Sequence, residues 1–418
     1  MNPPSSTRSA TPSNAARPAP ARALPFYLAP LQKLLARTRA GHLTLVLPNG
    51  RRMEAAGREN GPQALLHLHG WRPLLRLALQ GDLGLALSYR DGDWDSPDLT
   101  ALLEFGLANE AAWGLQLEGR GPARWFARLS HLARSNTRRG SRHNIGFHYD
   151  LGNKFYARWL DDSMLYSSAL YDGSAHDTLE AAQARRLARI VEMLDVKPQD
   201  EVLEIGCGWG TLAATLAKDA GARVTGVTLS TEQLAFARER ASQWGVAERV
   251  DLRLQDYRDV PGQFERIVSI EMIEAVGEAY WPTYFATLRE RLKPGGVAVL
   301  QAITIADKHF DSYRRGADFI QHCIFPGGML PSPGVLQAQA ERAGFEIEHT
   351  QLFGPSYALT LAEWRRRFLA EWPAIEPLGF DAAFKRLWTY YLGYCEAGFR
   401  AGRVDVGLYR LRLKKEGN

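Results

Sequence analysis

The run Val202-Leu203-Glu204-Ile205-Gly206-Cys207-Gly208-Trp209-Gly210 constrains the fold more than any other stretch of this chain. An apolar strand, residues 200–205, passes directly into glycines at alternate positions, and a helix is expected from Thr211. Glycines there let the backbone turn sharply and lie close against a ligand, the geometry by which open parallel sheets hold nucleotides at strand ends. Residues 222–227 form a second expected strand, and Ser230 opens a helix with a Ser-x-x-Gln capping box. Further strands are expected at 250–254, 266–270 and 297–302, each separated by helical stretches. Ahead of the glycine turn, Leu187, Ile190, Val191 and Leu194 share one helical face. This alternation predicts an α/β fold with a doubly wound, largely parallel sheet, and a late strand over 404–413 joining its edge.

The turn also discriminates between cofactors. A dinucleotide fingerprint needs a further glycine where Thr211 stands, and an acid about 20 residues on, where the second strand instead ends in Val227-Thr228-Leu229-Ser230. Glu204, at the end of the first strand, suits S-adenosylmethionine, which has no pyrophosphate but carries an ammonium and a sulfonium.

The 418 residues leave room for two domains, and 45% apolar with 23% charged residues excludes global disorder. No run of eighteen apolar residues occurs, which argues against a transmembrane helix. Cys207, Cys323 and Cys395 are too few and scattered for a disulfide framework or a Cys-built zinc site, so a reducing cytoplasm is expected. His143 and His148 have no acid and Cys set to complete a metal site, and none is expected. Residues 1–23, rich in Pro, Ser, Ala and Arg and free of acids, read as a disordered tail. Residues 24–133 read as a small α+β domain: a strand at 42–47, the turn Pro48-Asn49-Gly50, a strand at 63–69 and short helices at 74–79 and 99–107. Residues 134–143 read as a linker and 144–418 as the glycine-turn domain.

Residues 1–143 carry 19 Lys and Arg against 10 Asp and Glu, whereas the remainder carries 32 against 36. Such a bias suits an anionic surface; a plain solvated face is the alternative. Nucleic acid is disfavoured, because the basic region lies outside the glycine-turn domain and holds no recognition motif.

Several strings together resemble the cyclopropane-fatty-acyl-phospholipid synthase family. They are Phe147-His148-Tyr149-Asp150-Leu151-Gly152-Asn153, the glycine turn, Gly226-Val227-Thr228-Leu229-Ser230-Thr231-Glu232-Gln233, Ile273-Glu274-Ala275-Val276-Gly277, Ile324-Phe325-Pro326-Gly327-Gly328, and Tyr390-Tyr391-Leu392 with Cys395 and Phe399-Arg400. Gly81-Asp82-Leu83-Gly84-Leu85 and Tyr89-Arg90-Asp91-Gly92-Asp93-Trp94-Asp95 resemble the first domain of the phospholipid-acting members. The resemblance implies a class I, Rossmann-like methyltransferase domain with a helical lid insertion, and residues 304–358, between the fifth strand and Tyr357, are long enough for helices covering a substrate channel. It implies S-adenosylmethionine held by Tyr166, Ser167, Glu204, Gly206, Gly208, Gly210, Thr228, Ser230, Gln233, Asp256 and Tyr257. Gln233 would reach the ribose, although the capping box offers it another role.

The implied reaction is transfer of a methyl group to a cis double bond of a phospholipid acyl chain, then loss of a proton to close a cyclopropane. A dry pocket must align the alkene and stabilise a transient cation. Tyr149, Tyr166, Tyr171 and Tyr357 are candidates for cation–π stabilisation, each worth ~1–2 kcal/mol when desolvated. Glu274 matches the family's acid; a solvated helix-start residue is the alternative. In that family the proton acceptor is a bound bicarbonate, whose contacts would map onto Ser168, Glu274, Gln301, Ile303 (through its backbone) and Tyr357. Ser168 stands where Cys is usual, Gln301 where His is usual, and Ala275 replaces a usual His. Ser and Gln still donate hydrogen bonds to an oxyanion, so bicarbonate binding stays feasible. Loss of an imidazolium weakens the attraction, and ring closure stays open against a methylene- or methyl-branched product. Cys395 matches a cysteine assigned as catalytic, or it lines the pocket. Peripheral membrane attachment follows from a substrate that lies in the bilayer, and a homodimer is suggested by resemblance alone. A lipid-binding protein without catalytic activity is the rival of another class.

Overall fold

The structure, a computed structural model, describes residues 28–114, 151–174 and 176–414. The acid-free tail, the expected linker, His143, His148 and Tyr149 lie outside the described residues. Four strands, β1 (Ala40–Val46), β2 (Arg52–Ala56), β3 (Glu59–Leu68) and β4 (Trp94–Asp95), form a first sheet in the order β2-β1-β3-β4. The hairpin between β1 and β2 turns at Gly50, whose φ of +78° suits glycine, and it turns Leu43, Leu45, Met53 and Ala55 inward. The short helix expected at 74–79 is the start of a longer one, Arg72–Arg90, broken at Gly81 (φ 63°, ψ −140°). Gly84 lets the two halves close up, since a Cβ there would stand 2.2 Å from the Arg76 carbonyl oxygen. A second helix, Leu99–Trp113, is capped by the Asp98 carboxylate, which accepts from the Ala101 N–H.

The second sheet has seven strands: β5 (Glu201–Ile205), β6 (Arg223–Thr228), β7 (Val250–Leu254), β8 (Phe264–Ile270), β9 (Leu292–Ile305), β10 (Phe345–Leu352) and β11 (Val404–Leu413). Their order is β10-β11-β9-β8-β5-β6-β7, with β5 to β9 mutually parallel and β11 antiparallel to both its neighbours. The late strand is therefore interior and not at the edge, because Val406, Leu408 and Leu411 need cover on both faces and are fully buried. The edge belongs to β10, inside the stretch read as helical. Its sequence Phe-Glu-Ile-Glu-His-Thr-Gln-Leu is mostly polar and mostly exposed, so it lacks the apolar run that marked the other strands. Helices Asp307–Tyr313 and Phe319–Cys323 in the same stretch do cover the cavity described below, supplying Tyr313 and Ile320 to its wall.

Helix Ala382–Arg400 joins the two parts. Its Glu396 carboxylate, 1% exposed, accepts from Thr100 Oγ1 of the first part and from Arg365. Arg386 donates to Asp95 (2.7 Å) and to the Trp94 carbonyl (2.6 Å). Residues 28–114 carry nine Lys and Arg and nine Asp and Glu, so the positive excess of the first third falls on residues outside the described set.

Gly210 is held at φ +79°, and a Cβ there would lie 2.7 Å from Ala237 Cβ. Gly210→Ala is expected to cost about 2 kcal/mol of stability or more, measured by urea unfolding, through left-handed strain added to a helix contact.

Candidate active site

The cofactor end grows out of β5. Its last turn carries Glu204, and the following loop is tied to β6 by Gly206 and Cys207 N–H groups that both donate to the Val227 carbonyl (2.9 and 3.0 Å). Glu204 is 4% exposed and its Oε2 has no hydrogen-bond partner. Burial lifts its carboxyl to about 8, only partly offset by the Ala213 N–H and the Arg186 charge. A Cβ on Gly208 would meet nothing, so the loop leaves open space on that side, whereas Gly210 is spent on packing. A buried carboxylate with one unpartnered oxygen beside an open glycine cradle fits the ammonium of S-adenosylmethionine.

Thr228, Ser230 and Gln233 act as one unit. Ser230 Oγ accepts from the Gln233 N–H (3.2 Å), but the expected capping box is only half formed. The Ser230 N–H donates to Thr228 Oγ1, and the Thr228 hydroxyl donates to Gln233 Oε1 (2.9 Å). With its oxygen engaged, Gln233 keeps its amide N–H groups for an acceptor such as a ribose hydroxyl, and it lines the cavity while Thr228 and Ser230 do not. Asp256 and Tyr257 follow β7 and are not among the lining residues: Arg258 grips Asp256 at 2.8 and 2.6 Å, and Tyr257 packs edge-on to Tyr284. Tyr166 and Ser167 do line the cavity. Gln183 Nε2 donates to the Ser167 carbonyl (2.9 Å), fixing this segment against helix Leu179–Leu194.

Next to the glycine loop, at the end of β8, stand two half-buried carboxylates. Glu274 Oε1 accepts from the Ile303 N–H at 2.6 Å and its Oε2 is unpartnered. Burial, reinforced by the neighbouring Glu271 charge, pushes Glu274 up to about 8. Glu271 went unnoticed in the sequence, although Glu271 and Glu274 stand three apart in Ser269-Ile270-Glu271-Met272-Ile273-Glu274 directly after an expected strand. It gathers three donors: Gln301 Nε2 (2.6 Å) and Ser168 N–H (3.1 Å) on Oε1, and the Tyr357 hydroxyl (2.8 Å) on Oε2. Burial still holds its carboxyl above the usual range, opposed by these donors and by Arg186. Arg186 was also missed, since an arginine inside an amphipathic helix reads as solvent-facing. It is 1% exposed and donates to Gln301 Oε1 (3.2 Å), orienting the amide so that its nitrogen faces Glu271. Burial lowers the guanidinium to about 10, which leaves it charged at neutral pH. The positive charge that a histidine at position 301 could carry is supplied by this arginine, bonded to the Gln301 amide.

These groups border one cavity of about 440 Å³, which extends from the glycine loop past Glu271 and Glu274 to Leu85, Leu102 and Leu103 of the first part. Ser168 and Gln301 are not on its wall; they face Glu271, and the Ser168 hydroxyl donates to the Ala169 carbonyl. Ile303 and Tyr357 are on the wall. Of the aromatic candidates, Tyr166 and Tyr357 line the cavity and Tyr171 does not, while Trp209, Tyr391 and Phe399 join them unexpectedly. The Tyr166 and Tyr391 hydroxyls share a hydrogen bond of 2.8 Å. Cys395 lines the cavity one turn after Tyr391, and burial pushes its thiol up, away from thiolate formation.

A family model described as mycolic acid cyclopropane synthetase matches residues 136–408. The chain belongs to that family. It is 39% identical over 92% of its length to tuberculostearic acid methyltransferase UfaA1 of Mycobacterium tuberculosis, covering 91% of that protein. It is 40% identical over 79% of its length to the cyclopropane-fatty-acyl-phospholipid synthase of Escherichia coli, covering 83% of that one. Among solved structures, mycolic acid cyclopropane synthase CmaA1 complexed with SAH and CTAB superposes with a TM-score of 0.60 at 27% identity, over 65% of this chain and 97% of that one. Cyclopropane synthase MmaA2 of M. tuberculosis gives 0.61 with the same identity and coverage. The protein is thus an S-adenosylmethionine-dependent lipid methyltransferase with a class I methyltransferase fold.

Pairing with the cofactor ammonium requires Glu204 ionised, so a carboxyl near 8 makes binding tighten as pH rises from 6 to 8. Calorimetric titration should show that rise, and Glu204→Gln should flatten it and weaken binding about tenfold at pH 8. Cys395→Ala should lower turnover by less than about tenfold; loss of a true nucleophile would remove on the order of 10³ or more.

Proposed function

We propose that this methyltransferase transfers a methyl group from S-adenosylmethionine to the cis double bond of an unsaturated acyl chain carried by a phospholipid, giving a cyclopropane. The observation that carries this reading is the largely apolar cavity that runs from the glycine loop past Glu271 and Glu274 to Leu85, Leu102 and Leu103. An alkene is a weak nucleophile, so the chain's own residues must align it, exclude water and supply negative charge where the cation develops. Tyr166, Tyr391, Phe399 and Tyr357 present aromatic surface to that region, and the carboxylates lie beside it. The cofactor contributes an electrophilic methyl group; Glu204, the Gly206–Gly208 turn and Gln233 are the residues suited to hold it.

The bicarbonate implied by resemblance does not fit. Ser168 N–H, Gln301 Nε2 and the Tyr357 hydroxyl already serve Glu271, and the Ile303 N–H serves Glu274. A second reading, methylation without ring closure, is favoured by Ser168 and Gln301 at these positions and by the likeness to a tuberculostearic acid methyltransferase. Among the described residues no helix is long and apolar enough to cross a membrane. Attachment to anionic headgroups through Arg residues of 1–27 and 115–150 is the mode this composition supports.

The test is incubation of the full chain with labelled cofactor and vesicles containing cis-unsaturated phospholipid, followed by extraction, mass spectrometry and proton NMR. A gain of about 14 mass units without olefinic protons is expected. An exocyclic methylene signal would establish the second reading, and methylation of a soluble nucleophile without vesicles would overturn both.

A further inference from the structure

We infer that Glu271 is the base that takes the proton released after methyl transfer, a carboxylate of the chain standing where the family would hold a separate oxyanion. This rests on the reading of acyl methylation just given. Three of the residues that resemblance assigns to bicarbonate converge on Glu271, through the Ser168 N–H, Gln301 Nε2 and the Tyr357 hydroxyl, at 3.1, 2.6 and 2.8 Å. A free anion would have to displace a covalently tethered one from the same donors, beside the same guanidinium.

The backbone points the same way. Glu271 has φ +48°, a left-handed conformation that favours glycine and strains a side-chain-bearing residue. Its N–H is held by the Gln301 carbonyl (2.8 Å), so β9 fixes both the backbone and, through Gln301 Nε2, the side chain. That strain is tolerated for a side chain that reaches the cavity wall.

Of the adjacent pair, Glu271 is the member suited to carry the charge. Glu274 Oε2 has no partner, whereas both Glu271 oxygens accept hydrogen bonds and Arg186 lies behind Gln301. Two carboxylates this close do not both ionise readily, and the better-solvated one ionises first. In the step itself, the alkene electron pair forms the new C–C bond as the methyl–sulfur bond breaks, its pair staying on sulfur. A C–H bond next to the resulting cation then breaks, its pair closes the ring, and the proton passes to a Glu271 oxygen. Such a proton is strongly acidic, so a carboxylate already accepting three hydrogen bonds is base enough. Glu271 returns the proton to solvent when product leaves.

The experiment compares the full-length parent, Glu271→Gly and Glu271→Gln on cis-unsaturated phospholipid vesicles, in carbon-dioxide-depleted buffer and with added bicarbonate. Cofactor affinity and thermal stability are measured in parallel. The parent should turn over equally, within about twofold, in both buffers. Glu271→Gly should keep cofactor affinity and stability, since glycine relaxes the backbone, lose at least about 100-fold in rate, and regain most of it with bicarbonate filling the vacated space. Glu271→Gln, which fills that space without basicity, should stay inactive in both. A parent whose rate depends on added bicarbonate, or a Glu271→Gly enzyme as fast as the parent without it, would overturn the inference while leaving acyl methylation standing. A parent that methylates no unsaturated lipid would overturn the functional reading and this inference together.

Discussion

A carboxylate drawn largely out of water has to be compensated, and the way Glu271 is compensated organises the centre of this molecule. Its charge draws Gln301 from β9, Ser168 from the segment before helix Leu179–Leu194, and Tyr357 from helix Gly354–Ala370 onto one point. Arg186 closes the arrangement by holding the far end of the Gln301 amide. Each partner comes from a different part of the chain, so the network also pins the walls of the cavity relative to the ends of the parallel strands. Glutamine suits position 301 because it accepts from the guanidinium with one end and donates to the carboxylate with the other.

The polar centre is useful because most of the cavity around it is apolar. Helix Ala382–Arg400 makes that possible, turning Tyr391, Cys395 and Phe399 toward the cavity and bonding to the first part through Glu396 and Arg386. Removal of water strengthens the electrostatic effect of the carboxylates and aromatic faces on a developing cation. The same removal raises Glu204 and Glu274 toward 8, so protonation of the site is coupled to what occupies it.

Where a residue's role follows from its neighbours in sequence, it was readable in advance. The glycine turn and β5 to β9 announce themselves through local period and turn chemistry, and the positions expected of Glu204, Glu274, Tyr357 and Ile303 do fall on the cavity wall. Residues that act through distant partners were misread or missed. Gln233, expected to reach the ribose, is held for that not by a full capping box but by Thr228, whose hydroxyl engages its amide oxygen. Ser168 and Gln301 looked like ligands of an anion, yet they serve Glu271. The polar strand β10 was invisible because an edge strand needs no continuous apolar run, and β11 was set at the edge in its place.

The amino-acid sequence by itself determined the α/β class, the cofactor end and the kind of chemistry, because strand and helix periods and glycine turns are short-range properties. Only the tertiary structure decided which carboxylate receives the donors, where the buried guanidinium lies, and that the first part forms one end of the cavity. Those outcomes depend on groups as far apart as Ser168 and Tyr357 meeting in a dry interior. Unpaired charge is costly there, and three-dimensional proximity alone sets which partners are within reach.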